Sequence, residues 1–264
     1  MEEGDVLRLS DKSGGPIETL RTNLASPYLA ADSAGKKVAI LLRDQAARPA
    51  VMDLLEKSVQ LFDVELPLSS IRTFESTYHA TWNPKGNQIA FYNDSGLYLF
   101  DAASGRACQV ALGLAGLGER GPRWAYLAKW SPNGRYLAMI TTSGRFPLEF
   151  SDLTILDTVT GDLRTVQPKQ YLSSGKYYVL DIDWAPDSAI IAARVAATMK
   201  EGVVYDGLYL MNTSGIRQER QLPELTFTGA SAGLSISWSS NGKYLVLNCP
   251  TRDEGRLCQI TVTK

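Results

Sequence analysis

The chain has 264 residues, of which 44% are hydrophobic and 21% charged, with a formal net charge of -1. That is enough apolar material for a packed core and too much for a disordered chain. The balanced charge lacks the basic excess that nucleic acid or an anionic membrane surface selects, and no apolar run approaches the roughly 20 residues of a membrane-spanning helix.

The amino terminus, MEEGDVLRLS, is acidic and polar and does not have the make-up of a secretory leader. The chain as written is therefore expected in the cytoplasm; a leader or upstream region removed from it would place it in the periplasm or outside the cell. GDVLRLSDKSG (4–14) reads as a short strand closed by an Asp–Gly turn, and PIETLR (16–21) as the strand after it. ADSAGKKVAIL (31–41) is a tight turn running into an apolar strand. AVMDLLEKSVQLF (50–62) has a trace of helical periodicity, but its length and turn residues are read as two strands.

From residue 82 the turn-then-strand pattern acquires a leading tryptophan. WNPKGNQIAFY (82–92) is followed by WSPNGRYLAMI (130–140), WAPDSAIIAAR (184–194) and WSSNGKYLVLN (238–248). The turn position is Gly35, Gly86, Gly134, Ser188 and Gly242 in the five copies, spaced 51, 48, 54 and 54 residues apart. Proline presets φ for a turn, and Asn, Asp or Gly tolerates positive φ. The runs after the turns are apolar on both faces, as strands covered on both sides should be. A second element follows each: GLYLFDAASG (96–105), DLTILDTVTG (152–161) and GLYLMNTSG (207–215), an alternating run closed by an Asp or Asn turn and a Gly. Each unit therefore holds about four short antiparallel strands.

Four-stranded units of roughly 50 residues, each needing a neighbour on either face, predict an all-β fold: a β-propeller of four-stranded antiparallel blades. Trp82, Trp130, Trp184 and Trp238 are then structural wedges between adjacent blades. WSPNGRYLAMI and WNPKGNQIAFY, with GLYLFD following, resemble the WD40-like repeat of bacterial TolB-type propellers over nearly the whole chain. That family spans translocation accessory proteins, lipoprotein domains and the propeller caps of serine peptidases, so the resemblance implies a fold more than an activity.

One propeller domain is expected over 1–264, with blades at about 24–72, 73–120, 121–170 and 171–228, and a fifth at 229–264 closed by 1–23. Six blades, or a segment of a larger propeller, are the alternatives. The connections from first to second and third to fourth strand are tight. Those at the other end are long: 112–123, 141–152, 167–176, 195–207 and 221–233. They carry Arg123, Arg145, Phe146, Phe150, Tyr171, Tyr205 and Phe227, the aromatic and arginine anchors typical of protein contacts. Just before the tryptophans the inner strands place His79 and Thr81, Leu127 and Lys129, Asp181 and Asp183, and Ser235 and Ser237. His79, Lys129, Asp181 and Asp183 are the candidate channel set.

Catalytic signatures are missing. His79 is the single histidine, no Gly-x-Ser-x-Gly elbow or Walker loop is present, and the glycine-rich GLAGLGERG (113–121) is not followed by a helix pattern. Cys108, Cys249 and Cys258 do not form a zinc pattern. Cys249 and Cys258 flank one hairpin, as reduced thiols or as a cross-strand disulfide. The expected function is a non-catalytic, monomeric scaffold without cofactor or metal, binding a protein or peptide on the long-loop face. The alternatives are a propeller belonging to or assisting a larger enzyme such as a serine peptidase, and a carbohydrate-active propeller.

Overall fold

The computed structural model describes residues 6–10, 16–21, 29–43, 47–66, 78–93, 96–110, 123–143, 151–166, 175–199, 204–212, 220–221, 235–248 and 257–262. Every element among them is a β-strand. The chain forms two compact units, residues 1–110 and 111–264.

In the first unit β1 (Val6–Ser10) pairs antiparallel with β2 (Pro16–Arg21). A four-stranded antiparallel sheet follows in chain order: β3 (Ala30–Ala31), β4 (Lys37–Arg43), β5 (Ala47–Asp53) and β6 (Ser58–Leu61). The segment with the trace of helical periodicity is thus two strands, β5 and β6. The next sheet is β7 (His79–Trp82), β8 (Gln88–Asn93), β9 (Gly96–Asp101) and β10 (Ala107–Val110).

The second unit repeats the plan. Its first sheet is β11 (Arg123–Trp130), β12 (Tyr136–Ser143), β13 (Ser151–Asp157) and β14 (Leu163–Val166). Its second is β15 (Gly175–Trp184), β16 (Ile190–Met199), β17 (Val204–Asn212) and β18 (Arg220–Gln221). Its third, β19 (Ile236–Trp238), β20 (Tyr244–Asn248) and β21 (Leu257–Thr261), holds three strands among the described residues. Of the segment 1–23 expected to complete that sheet, β1 and β2 pair with each other, the locally cheapest closure for adjacent strands.

One turn closes the first hairpin of each full sheet and of the last. The backbone N–H of Gly134 donates to Ser131 O at 2.8 Å, and that of Ser131 to Tyr136 O at 2.8 Å; 32–37, 83–88, 185–190 and 239–244 repeat both bonds. This is a type I turn followed by a left-handed residue, the geometry of a short hairpin with a bulge. The left-handed position has φ of 65° at Gly35, 73° at Gly86, 68° at Gly134 and 67° at Gly242, and is Ser188 at 61°. The third-strand turns use a different device. Asp157 accepts from the backbone N–H of Val159 and Thr160, and Asp101 from those of Ala103 and Ser104.

The sheets are held face to face. In the first unit Leu41, Val51, Phe62 and Leu66 from the β3–β6 sheet and its following segment share a buried cluster with Trp82, Ile89, Phe91 and Phe100 of the next sheet. Phe62 stacks on Phe100 at 5.3 Å, and Phe91 meets Phe100 edge-on at 5.5 Å. In the second unit Ile140, Leu153 and Ile155 pack with Val179, Ile182, Trp184 and Ile191. Leu208 and Leu210, in turn, pack with Ile236, Leu245 and Leu247. Trp82 and Trp184 each lie in the cluster that their own sheet shares with the preceding one.

Gly105 gives a test of this packing. It has φ 68°, and a Cβ there would lie 2.7 Å from Cδ1 of Phe62, a ring already fixed by Phe100. Gly35, at φ 65°, faces open space. Gly105→Ala is expected to lose about 2–4 kcal/mol of unfolding free energy, the left-handed penalty plus overpacking, and Gly35→Ala about 1–2 kcal/mol. Urea denaturation of the two variants checks the difference; equal losses would mean that the Phe62 contact is soft.

Candidate functional site

Among the described residues the first strand of each sheet has one edge without a strand partner, so its outward N–H groups need other acceptors. On β19, Ser239 N donates to Tyr244 O, which sets the alternation of the ladder and turns Ile236 N–H and Trp238 N–H to the open edge. Both are met by β15. Asp181 Oδ2 accepts from Ile236 N at 2.8 Å, and Asp183 Oδ2 from Trp238 N at 2.7 Å.

A bulge aims these carboxylates. The β15–β16 register shifts between Val179 and Asp181, leaving Leu180 as the extra residue. Val179, Ile182 and Trp184 therefore share the face toward β11–β14, although a strict alternation would separate them. Asp181 and Asp183 point the other way, toward β19. β11 carries the matching bulge between Ala125 and Leu127, at Tyr126. The Tyr126 hydroxyl donates to Val179 O, and Ser151 Oγ accepts from Val179 N at 2.6 Å. The two clamp the backbone beside the bulge. Burial pushes the Tyr126 phenol far above the usual tyrosine range, so it stays a donor.

Lys129, on β11, closes the group. Its Nζ lies 3.3 Å from Asp181 Oδ1 and 3.7 Å from Asp183 Oδ1. Trp184 returns the link, donating from Nε1 to Lys129 O at 2.9 Å. Three consecutive sheets are thereby tied: β11 to β15 by ammonium and indole, and β15 to β19 by two carboxylates. Burial raises the Asp183 pKa above the usual carboxylate value, against the opposing pull of Trp238 N–H and Lys129. Arg194, opposite Asp181 in the ladder and 2% exposed, adds a buried cation on β16 beside the partly exposed Lys129. Chemically the arrangement is two carboxylates hydrogen-bonded to β19 and paired with one ammonium.

Of the predicted channel set, the structure brings together Lys129, Asp181 and Asp183. His79, in the first unit, stacks on Tyr92 at 5.5 Å with an interplanar angle of 17°, and burial holds its pKa below the ordinary histidine value. It is a neutral, packed imidazole at neutral pH.

Of the predicted loop-face set, Arg145, Phe146, Phe150, Tyr171 and Phe227 lie outside the described residues. Arg123 and Tyr205 are not loop residues. Arg123 opens β11 opposite Ser143, and Tyr205 lies in β17 opposite Ala197. The hairpin pairing of β16 and β17 runs on to Thr198 and Val204, so 195–199 and 204–207 of the expected loop 195–207 are strand. In the last sheet the register sets Cys258 opposite Leu247, not opposite the position of Cys249, which lies outside the described residues. Cys108 is a free, exposed thiol. Sequence reading missed Tyr126, Ser151 and Arg194. RWAYLAKW and YYVLDIDW depart from a strict period of two, but nothing in either stretch marks where the extra residue falls.

No protein-family profile matches the chain, and no curated protein sequence does. Solved structures do match. A Porphyromonas gingivalis dipeptidyl peptidase 4 aligns over 94% of this chain and 41% of its own, with 12% identity and a TM-score of 0.58. The Cps50 (Swd1) beta-propeller domain of Myceliophteria thermophila aligns over 98% of this chain and 77% of its own, with 14% identity and a TM-score of 0.57. A eukaryotic initiation factor aligns over 93% and 54%, with 12% identity and a TM-score of 0.52. The chain thus spans less than half the length of the peptidase and about half that of the initiation factor. These likenesses show the fold, a β-propeller of four-stranded antiparallel blades.

Two aspartates are expected to give opposite pH signatures. Asp183 has a raised folded pKa, so its contribution to stability is present in acid and lost as pH rises through that value. Asp157 has a lowered one, first through its hydrogen bonds from Arg135, so its contribution is present at neutral pH and lost as pH falls below about 4. Melting temperatures from about pH 3 to pH 7 should show Asp183→Asn losing less stability than wild type on going from acid to neutral pH. Asp157→Asn should lose less on going from neutral pH to acid. Asp183→Ala, which leaves Trp238 N–H without its acceptor, should cost about 1–3 kcal/mol and more than Asp183→Asn; equal effects would remove Asp183 as the clasp on β19.

Proposed function

We propose that the chain is a non-catalytic binding scaffold, a propeller that holds a protein or peptide on the ends of its blades opposite the tight turns. The observation that supports this is the difference between the two ends. At one end of its own sheet, each of the turns 32–36, 83–87, 131–135, 185–189 and 239–243 has the same hydrogen-bonding pattern. Adjacent turns are also linked: Ser33 Oγ donates to Pro84 O at 3.1 Å, and Asn133 N to Ser188 Oγ at 2.9 Å. At the other end the spans between strands are unequal, among them 44–46, 94–95, 144–150 and 200–203 within blades and 67–77, 167–174 and 222–234 between them. Variation concentrated at one end of a rigid frame is how loop-borne recognition is built. Phe146, Phe150, Tyr171 and Phe227, with Arg145, supply the residue types that anchor protein contacts.

A second reading is supported by the dipeptidyl peptidase 4 likeness, in which the matched region is 41% of the neighbour's chain. On that reading this chain is the propeller part of, or an accessory to, a larger enzyme. The complete gene discriminates: an adjoining hydrolase segment supports it, and an unrelated neighbour removes it.

The scaffold reading is tested by affinity capture with wild type and with a Phe146→Ala, Tyr171→Ala double variant. The wild type is expected to retain a defined protein, and the double variant to lose at least about tenfold in affinity for it while its far-ultraviolet spectrum and melting temperature are unchanged. A partner held equally well by variants across the whole long-loop end would sink the proposal.

A further inference from the structure

The outermost strand of a sheet exposes a row of backbone donors and acceptors, and proteins guard such edges with charge, bulges or cover. Three outermost strands with described side chains can be compared here: β6, β10 and β14. Their ladders fix which residues turn their N–H and C=O outward. Asp101 N donates to Arg106 O, so β10 turns out Ala107 and Gln109. Asp157 N donates to Asp162 O, so β14 turns out Leu163 and Thr165, both half-buried. Phe62 N donates to Pro49 O, so β6 turns out Val59 and Leu61.

Val59 and Leu61 are also exposed, at 45% and 54%, and nearby Leu55 at 72%. All four residues of β6 are exposed. Val59 stands opposite Met52 and Leu61 opposite Ala50, both buried in the apolar cluster on that face of the sheet. An apolar face covered over β4 and β5 therefore runs on, uncovered, to an edge whose backbone groups are open among the described residues.

We infer that β6 is a self-association edge, at which two copies of the chain pair β6 to β6, antiparallel, about a two-fold axis at Gln60. The sequence of the edge is self-complementary in that register. Val59 of each copy meets Leu61 of the other in a hydrogen-bonded pair, so the four outward N–H and four outward C=O groups of the two strands satisfy one another. The apolar side chains lie in directly opposed pairs on one face. Lys57 of each copy falls across from Asp63 of the other, opposite charges at both ends of the contact; both residues are exposed. Gln60 meets its own copy on the opposite face, and the two β3–β6 sheets become one continuous sheet. Four strand residues a side make a small interface, so the association is a weak one. This inference is independent of the binding role proposed for the long-loop end.

Cross-linking reads the register directly. In a Cys108→Ser background, Gln60→Cys places two thiols at a symmetric position without hydrogen bonding between the pair, where the Cα separation suits a disulfide. Mild oxidation is expected to give a disulfide-linked dimer. Ser58→Cys, which the same register sets opposite Phe62 of the second copy, is expected to stay monomeric. Sedimentation equilibrium of the wild type should show concentration-dependent dimer, and Val59→Lys with Leu61→Lys should weaken it by at least about tenfold, since two exposed positions become like charges facing across the axis. A wild type that is monomeric at every concentration up to about 1 mM would overturn the inference. So would a dimer unchanged by the double lysine variant, or equal cross-linking at positions 60 and 58.

Discussion

Each four-stranded sheet of this protein is apolar on both faces among the described residues, and that constraint organises the rest. A four-stranded sheet can cover neither face by itself, so every sheet is stable only against another. The clusters follow: the buried residues of β15–β18 divide into Ile191, Ala193 and Val195 toward one neighbour and Ala192, Leu208 and Leu210 toward the other. The motif tryptophan is the largest piece of this packing. A buried indole removes on the order of 200 Å² from water, which sets an upper figure of about 5 kcal/mol for each wedge. At Trp184 the ring also stacks on Tyr136 at 6.0 Å and its N–H reaches Lys129 O, so position and orientation are both fixed by the preceding sheet.

Packing sheets face to face leaves two edges per sheet to be managed. At the inner edge of β19 the solution is charged: Asp181 and Asp183 reach across from β15 to take the outward N–H groups. Burying two carboxylates is costly, and the raised pKa of Asp183 records the part that Lys129 and Trp238 N–H do not offset. With both carboxylates bonded to β19 and facing Lys129, the polarity of LDIDW has a structural explanation. At the outer edge the solutions are small, polar or half-buried residues on β10 and β14. β6, with Val59 and Leu61, departs from that pattern.

The fold was legible because its signals are local. WSPNG specifies a turn, the apolar run after it specifies a strand, and recurrence at 48 to 54 residues specifies repetition. None of these depends on a distant partner. The bulges at Tyr126 and Leu180 were not legible, since each is fixed by the register with the next strand and, beside Leu180, by hydroxyls of Tyr126 and Ser151 from the neighbouring sheet. Strand ends were misjudged for a related reason. VAATMKEGVVYDG contains two turn signals, Gly202 and Asp206–Gly207, and cross-strand pairs such as Val195 with Gly207 and Ala197 with Tyr205 carry the hairpin through the second. Of the candidate site, the charge pairing of Lys129 with Asp181 and Asp183 was readable from their shared place before the tryptophans. The role of those carboxylates as acceptors for β19 was not, because it depends on which N–H groups a ladder turns outward.

Ser188 shows how firmly the tight-turn end is specified. Every other copy has glycine at this left-handed position, and a serine at φ 61° carries strain on the order of 1 kcal/mol. Yet Ser188 is 3% exposed, and its Oγ accepts from the backbone of Asn133 in the preceding turn. The hydrogen bond to a neighbouring sheet thus offsets the conformational strain. The same end brings Gly242 against Pro186, where a Cβ would meet the proline ring at 3.4 Å. Turns that touch one another cannot lengthen or change shape independently, so that end of the blades is closed to variation.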